Sequence, residues 1–318
     1  MNDTLIGIVG VATAIVSGIV GASFAWTITS RRMPVSHRVA IIGYPQVGKT
    51  TLITGIFEYL FRVGAEGGSV VPRGDETIRR VNTNLKQMEL GRPVIPTRDQ
   101  DVFAFRADVV APGGGLARRY KLEIGDFPGE DTVEFAEQYG EWLHATPYFQ
   151  WAISSDAFLF VVDTASILLD STGEEVARQK SALRAAWQRI REYHLDHNVG
   201  LSRTKVVLIY SKADLLLVDR WNTVAIRNFA TGEDHPSVRK VNAAVHTALD
   251  KVMHQFDDLA EMLARESGSF ETIATSIYLR EAGDERFGIP AVVHAVLPHR
   301  GALVPVFGRR DSSQVEAS

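Results

Sequence analysis

The sequence predicts an α/β domain, a mostly parallel sheet with helices on both faces, preceded by one transmembrane helix. Three observations predict it. Short, fully apolar runs alternate with longer amphipathic stretches. A glycine-rich loop joins the first such run to the first helix. The opening residues carry an uncharged stretch unlike anything that follows. Apolar runs of strand length are buried on both faces, and their alternation with helices implies a parallel sheet covered on both sides.

Composition narrows the function classes. The chain has 318 residues, 45% apolar and 23% charged, with a formal charge of −4 and no cysteine. The apolar fraction is enough for a core and excludes wholesale disorder. Without a basic excess, a general nucleic-acid surface is not expected. The absence of cysteine removes disulfide scaffolds, thiolate metal sites and cysteine nucleophiles.

Leu5 to Ile28 contains no charged residue. As a helix it would extend about 36 Å, enough to cross a hydrocarbon core of about 30 Å. Asp3 precedes it and Arg31-Arg32 follow, so the C-terminal side is expected in the cytoplasm of a single-pass membrane protein. A cleavable signal peptide fits less well because the n-region is not basic. A buried core helix fits less well because no face is charged. Gly10, Ala14, Gly18 and Ala22 recur at four-residue spacing, which makes the anchor a candidate for pairing into a homodimer. The expected organisation is an anchor over 1–30, a basic linker over 31–38, one enlarged domain over 39–300 and a loose tail over 301–318.

Within the domain, Val39–Ile42 reads as the first strand and Lys49 to Arg62 as the first helix. Residues 75–90 read as a second, more polar helix. Strands are expected at Val102–Val110, Arg119–Ile124, Ala157–Val162, Lys205–Tyr210 and Phe270–Leu279. Helices are expected at Glu174–His194 and Ser237–Arg265, and Pro290–Leu297 is an apolar closing segment.

Gly43-Tyr44-Pro45-Gln46-Val47-Gly48-Lys49-Thr50 fits G-x-x-x-x-G-K-[ST] and lies between a strand and a helix. Its glycines allow a tight turn whose N–H groups face phosphate oxygens at the positive end of a helix dipole. Lys49 is placed to reach the outer phosphates and Thr50 to ligate Mg²⁺, with Thr51 beside it. Asp126-Phe127-Pro128-Gly129 follows a strand. It suits an acid behind the Mg²⁺ shell and a backbone N–H, that of Gly129, facing a γ-phosphate. Ser211-Lys212-Ala213-Asp214 follows another strand. Asp214 can accept both N1–H and N2–H of guanine, a pair adenine lacks, while the Lys212 stem packs on the base. Thr275-Ser276 ends the last strand, where an N–H or hydroxyl can meet the base carbonyl.

Four such elements in this order resemble the P-loop, the D-x-x-G switch, the N/T-K-x-D base reader and the final base loop of Ras-like, TRAFAC-class GTPases. The resemblance covers roughly residues 37–300. It implies the three-layer P-loop fold with a six-stranded sheet, GTP or GDP with Mg²⁺ at the sheet's carboxyl edge, and two nucleotide-dependent switch segments. Anchor followed by domain is similar in architecture to the signal recognition particle receptor β subunit. The Pro-Gly-Glu switch resembles bacterial GTPases of defence and conflict systems.

The long stretch between Lys49 and Asp126 implies an enlarged first switch, in which Thr97 is the expected Mg²⁺-closing threonine. Glu130 stands where such enzymes place a water-orienting glutamine, so slow hydrolysis is expected. Ser211 replaces the usual Asn or Thr, which predicts a weaker brace between base loop and P-loop. The expected activity is a membrane-anchored GTPase switch with a cytosolic protein effector. The alternative is a hydrolysis-poor GTP-binding receptor or scaffold. An ATPase is disfavoured by Lys212 and Asp214.

Overall fold

The computed structural model of the protein describes residues 35–63, 69–90, 92, 94, 103–111, 118–126, 151–217, 249–279 and 286–298. The expected transmembrane segment Leu5–Ile28, the tail 301–318, and Thr97, Gly129 and Glu130 lie outside the described residues. Among the described residues, no helix is long and apolar enough to cross a membrane.

Strand β1 (Val35–Gly43) leads into helix α1 (Lys49–Val63). Strand β2 (Ser69–Arg73), helix α2 (Asp75–Glu89), and strands β3 (Phe103–Ala111) and β4 (Arg118–Asp126) follow. Strand β5 (Ala157–Asp163) is followed by the short helix α3 (Thr164–Leu169), the long helix α4 (Glu174–Asp196) and strand β6 (Lys205–Ser211). Helix α5 (Asp257–Glu266), strand β7 (Ser269–Ala274) and helix α6 (Ile289–Val296) come last.

Seven strands, rather than the six expected, form one sheet in the order β2-β3-β4-β1-β5-β6-β7. The five strands from β4 to β7 are parallel to their neighbours, whereas β2 pairs with β3, and β3 with β4, in antiparallel sense. The extra strand is β2, at the edge. It is five residues long, exposes alternate side chains and carries Pro72, a residue that suits an edge strand because it donates no ladder bond.

The period of two along each strand divides the core. Val39 and Ile41 of β1 face α1, α2 and α6, while Ala40 and Ile42 face α4 and α5. Every residue of β5 is buried, as a central strand covered on both faces requires. On the second face Trp187 of α4 meets Phe158 and Phe160 edge-on, at centroid distances of 6.4 and 6.1 Å. Its indole N–H reaches Glu266 at 2.8 Å, so the buried ring keeps a polar partner.

Other elements depart from their expected limits. Strand β1 begins at Val35, inside the expected linker, because Val35 to Arg38 pair with Tyr120 to Glu123 of β4. The last strand stops at Ala274, and 275–279 form a turn instead. The closing apolar segment is helix α6, which starts after Gly288 (φ 74°) with Pro290 in its first turn. The helix expected over 237–265 is described from residue 249 and is interrupted by a 3₁₀ turn at His254–Phe256.

Candidate functional site

Strands β1, β4, β5, β6 and β7 run parallel, so their carboxyl ends share one edge of the sheet. Gly43, Asp126, Asp163, Ser211 and Ala274 end there. Strand β1 has β4 on one side and β5 on the other. The helix after β1 covers one face and the helix after β5 the opposite face. Such a reversal opens a crevice beyond the strand ends, the usual ligand position in sheets of this kind.

The loop 44–48 fills that position. Gly43 has no room for a side chain, since a Cβ there would stand 2.8 Å from the carbonyl oxygen of Val161. Pro45 is half-buried in the turn, and Val47 is buried beneath it. Gln46 and Gly48 take positive φ angles of 62° and 95°. A non-glycine residue in that region is uncommon and strained, which marks a conformation held for a purpose. Among the described residues, the N–H groups of Gln46, Val47 and Gly48 have no acceptor, and Gly48 accepts the first α1 bond from Leu52 N–H at 2.9 Å. Successive open N–H groups at a helix start form an anion-binding concavity.

Lys49 crosses this loop. Its ammonium donates to the carbonyl oxygens of Gly43 at 2.7 Å and Tyr44 at 3.0 Å, which holds the charge over the concavity's rim. Thr50 donates its hydroxyl to Asp126 Oδ2 at 2.9 Å, bringing α1 and β4 together, and Asp126 is only 1% exposed. Thr51 follows, half-buried, in the same turn. A hydroxyl beside a carboxylate suits a hard divalent cation that takes its remaining ligands from phosphate and water. Among the described residues, no group of three or more His, Asp or Glu could hold a metal alone.

The other half of the edge is built from the ends of β6 and β7. The Ser211 hydroxyl lies 2.7 Å from Val47 O and 2.9 Å from Val162 O. The brace to the loop is therefore made despite the shorter side chain. Lys212 has φ 57° and donates to Asp163 Oδ2 at 2.6 Å. Asp214 is buried and accepts from Ser276 Oγ at 2.6 Å. Burial pushes the Asp214 carboxyl above its ordinary range, against the opposing pull of the Ser276 hydroxyl, its own backbone N–H and the Lys212 charge.

In the turn 275–279, four of the five backbone N–H groups are bonded within the protein. Thr275 N–H donates to Tyr210 O at 2.8 Å, and Ser276 N–H to Phe287 O at 3.1 Å. The Ser276 hydroxyl also accepts from the N–H groups of Tyr278 (3.1 Å) and Leu279 (3.2 Å). Thr275 and Ser276 therefore spend their N–H groups inside the protein. Among the described residues, the N–H of Ile277 has no acceptor, and the residue before it, Ser276, holds the Asp214 carboxylate. The turn thus carries an open donor one residue along from the side chain that fixes a carboxylate acceptor.

The sequence matches no protein-family model and no curated protein.

Three site residues are added by the geometry. Asp163 caps α3 by accepting from the N–H groups of Ala165 and Ser166 while its second oxygen holds Lys212. The run Asp163-Thr164-Ala165-Ser166 after an apolar strand was the available signal for that cap. Arg178 of α4 places its guanidinium 4.7 Å from the Tyr44 ring centroid, beside the loop 44–48. Ile277 offers only its backbone, so no side-chain pattern marks it.

Proposed function

We propose that the chain is a membrane-anchored GTPase of the Ras-like kind, which binds GTP with Mg²⁺, hydrolyses it slowly and works as a nucleotide-dependent switch at the cytoplasmic face of a membrane. One observation carries the guanine reading. The Asp214 carboxylate and the Ile277 N–H stand on the same sheet edge as the anion concavity of residues 44–48. Guanine presents two N–H donors to a carboxylate and a carbonyl oxygen to a donor. Adenine presents an amino group where guanine has that oxygen, so the Ile277 N–H would face another donor.

Phosphate binding would use the open N–H groups of Gln46, Val47 and Gly48 and the Lys49 ammonium. Thr50 and Asp126 fit Mg²⁺, with Thr97 as the further ligand that the sequence suggests. When bound, Mg²⁺ would neutralise charge on the outer phosphates. Lys49 would take up negative charge as water attacks the γ-phosphorus in line and the bond to the bridging oxygen breaks. Gly129 would meet the γ-phosphate through its N–H. At Glu130 an ionised carboxylate cannot donate to the water it faces, which supports a slow rate.

The membrane reading rests on Leu5–Ile28, and an effector protein in the cytosol would read the nucleotide state. A homodimer through the anchor follows the small-residue stripe. The scaffold alternative, with GTP held and not turned over, draws on Glu130 alone, because the Ser211 brace is in place. Equilibrium binding of GTP and ATP to the full-length chain tests the central claim. GTP binding in the micromolar range or tighter, with ATP far weaker, is expected. ATP binding without GTP binding would overturn it. Single-turnover hydrolysis of bound GTP then separates switch from scaffold.

A further inference from the structure

We infer that Arg286 is a positioning residue of the guanine site: by tying the Ile277 carbonyl to Glu58 of α1, it sets the aim of the Ile277 N–H toward the base. The inference rests on the guanine reading above and adds what holds that donor in place.

Arg286 is 8% exposed, unusual for a guanidinium. Its Nε and Nη2 donate to the two carboxylate oxygens of Glu58, Nη2 at 3.1 Å, and its Nη1 donates to Ile277 O at 2.5 Å. A buried ion pair of this type gains little stability over well-packed apolar side chains. What it adds is geometry, since a planar fork fixes two targets relative to each other. Here the targets are the P-loop helix and the one residue of the turn whose N–H lacks an acceptor.

A second grip acts on the same residue. A Cβ at Gly55 would lie 2.7 Å from Ile277 Cδ1, so the Ile277 side chain occupies space that α1 leaves open only because residue 55 is glycine. Gly55 and Glu58 are three apart and share a helix face. Ile277 is therefore held by its side chain against α1 and by its carbonyl through Arg286, while its N–H has no acceptor among the described residues. The flanking residues reinforce the hold. Ser276 N–H donates to Phe287 O at 3.1 Å, Phe287 N–H to Leu279 O at 3.0 Å, and Gly288 packs so closely on Ala274 O that no side chain fits. Since α1 begins with Lys49 and Thr50, the phosphate cradle and the base donor hang from one rigid element.

The test measures binding of GDP and of inorganic tripolyphosphate, each with Mg²⁺, to the full-length chain and its variants. Tripolyphosphate reports the phosphate cradle alone. Arg286→Met should weaken GDP about tenfold or more, the loss of one well-aimed hydrogen bond, and leave tripolyphosphate within about twofold. Arg286→Lys keeps the charge opposite Glu58 but not the fork, so it should restore the melting temperature without restoring GDP affinity. Gly55→Ala disturbs Ile277 without burying an unpaired charge and favours the helix. It should weaken GDP and leave tripolyphosphate within about twofold, with helix propensity offsetting part of the crowding against Ile277 and Ile289 in the melting temperature. Equal weakening of both ligands, or a change in melting temperature with neither ligand affected, would overturn the inference. Wild-type protein that binds tripolyphosphate but not GDP would instead overturn the guanine reading itself.

Discussion

The hydroxyl oxygen of Ser211 lies 2.7 Å from the carbonyl oxygen of Val47, a residue 164 positions earlier in the chain. This contact joins the end of β6 to the loop that follows β1, the two parts that the proposed function assigns to base and phosphate. Ser211→Ala removes it and leaves the Val47 carbonyl buried without that donor. We expect a stability loss of about 1–3 kcal/mol, read as a fall of roughly 2–4 °C in melting temperature per kcal/mol. Dissociation of bound GDP should also quicken, which stopped-flow displacement measures.

The strands that end at this edge were legible because fully apolar runs such as 157–162 and 206–210 have few alternative states. The loop 43–50 was legible because glycine, lysine and threonine carry its chemistry in their side chains or in their lack of one. Strand β2 was not, because five residues with a proline give too little alternation to separate an edge strand from a loop. Residues 275–279 were read as strand because Ile277 and Leu279 continue the apolar alternation. Their turn is set by the Ser276 hydroxyl and by Phe287, which no local pattern records. The pairing of Asp163 with Lys212 has no local signature because the two are distant in sequence, whereas the helix cap of Asp163 is written locally.

Thr50 donates to Asp126 at 2.9 Å, so the Mg²⁺ dependence of the proposed function would pass through one hydroxyl. Thr50→Val keeps the shape and removes the oxygen. Wild-type GTP affinity should fall by about 10–100-fold on chelation of Mg²⁺, whereas the variant should start weak and respond little. A variant as responsive to chelator as the wild type would exclude Thr50 as a ligand.

In the proposed function Asp214 sets the base preference. Asp214→Asn replaces an acceptor pair with one acceptor and one donor. This loses guanine's N2–H and matches a base with a carbonyl at that position. GDP affinity should drop by about 30–1,000-fold, two charge-assisted bonds, while xanthosine diphosphate becomes the better ligand. Competition between the two nucleotides measures the reversal.

The same carboxyl predicts an opposite effect on stability. Burial raises its folded-state value above the ordinary 3.8, so the folded protein holds that proton more tightly than the unfolded chain. Stability from this group is full below the unfolded value and is lost as pH rises through the folded one. Without nucleotide, Asp214→Asn should therefore melt above wild type at neutral pH, and the gap should shrink as pH falls toward 4. Melting curves across that range check the sign.

Lys212 leans on Asp163 at 2.6 Å from a left-handed backbone position, φ 57°, two residues before Asp214, the base reader of the proposed function. Asp163→Asn separates two roles of that aspartate. Asparagine caps helices as well as aspartate does, so the bonds to Ala165 and Ser166 N–H should persist. The charge that orients Lys212 is lost. An ion pair with one third-exposed partner adds at most about 1 kcal/mol to stability, so the melting temperature should move by only a few degrees. Nucleotide exchange should respond more, because a lysine released from its partner no longer covers the base: we expect GDP dissociation about 3–10-fold faster. Asp163→Ala removes cap and charge together and should lower the melting temperature as well. If Asp163→Asn exchanged GDP at the wild-type rate, the ion pair would be a stabilising contact of α3 and not part of the base site.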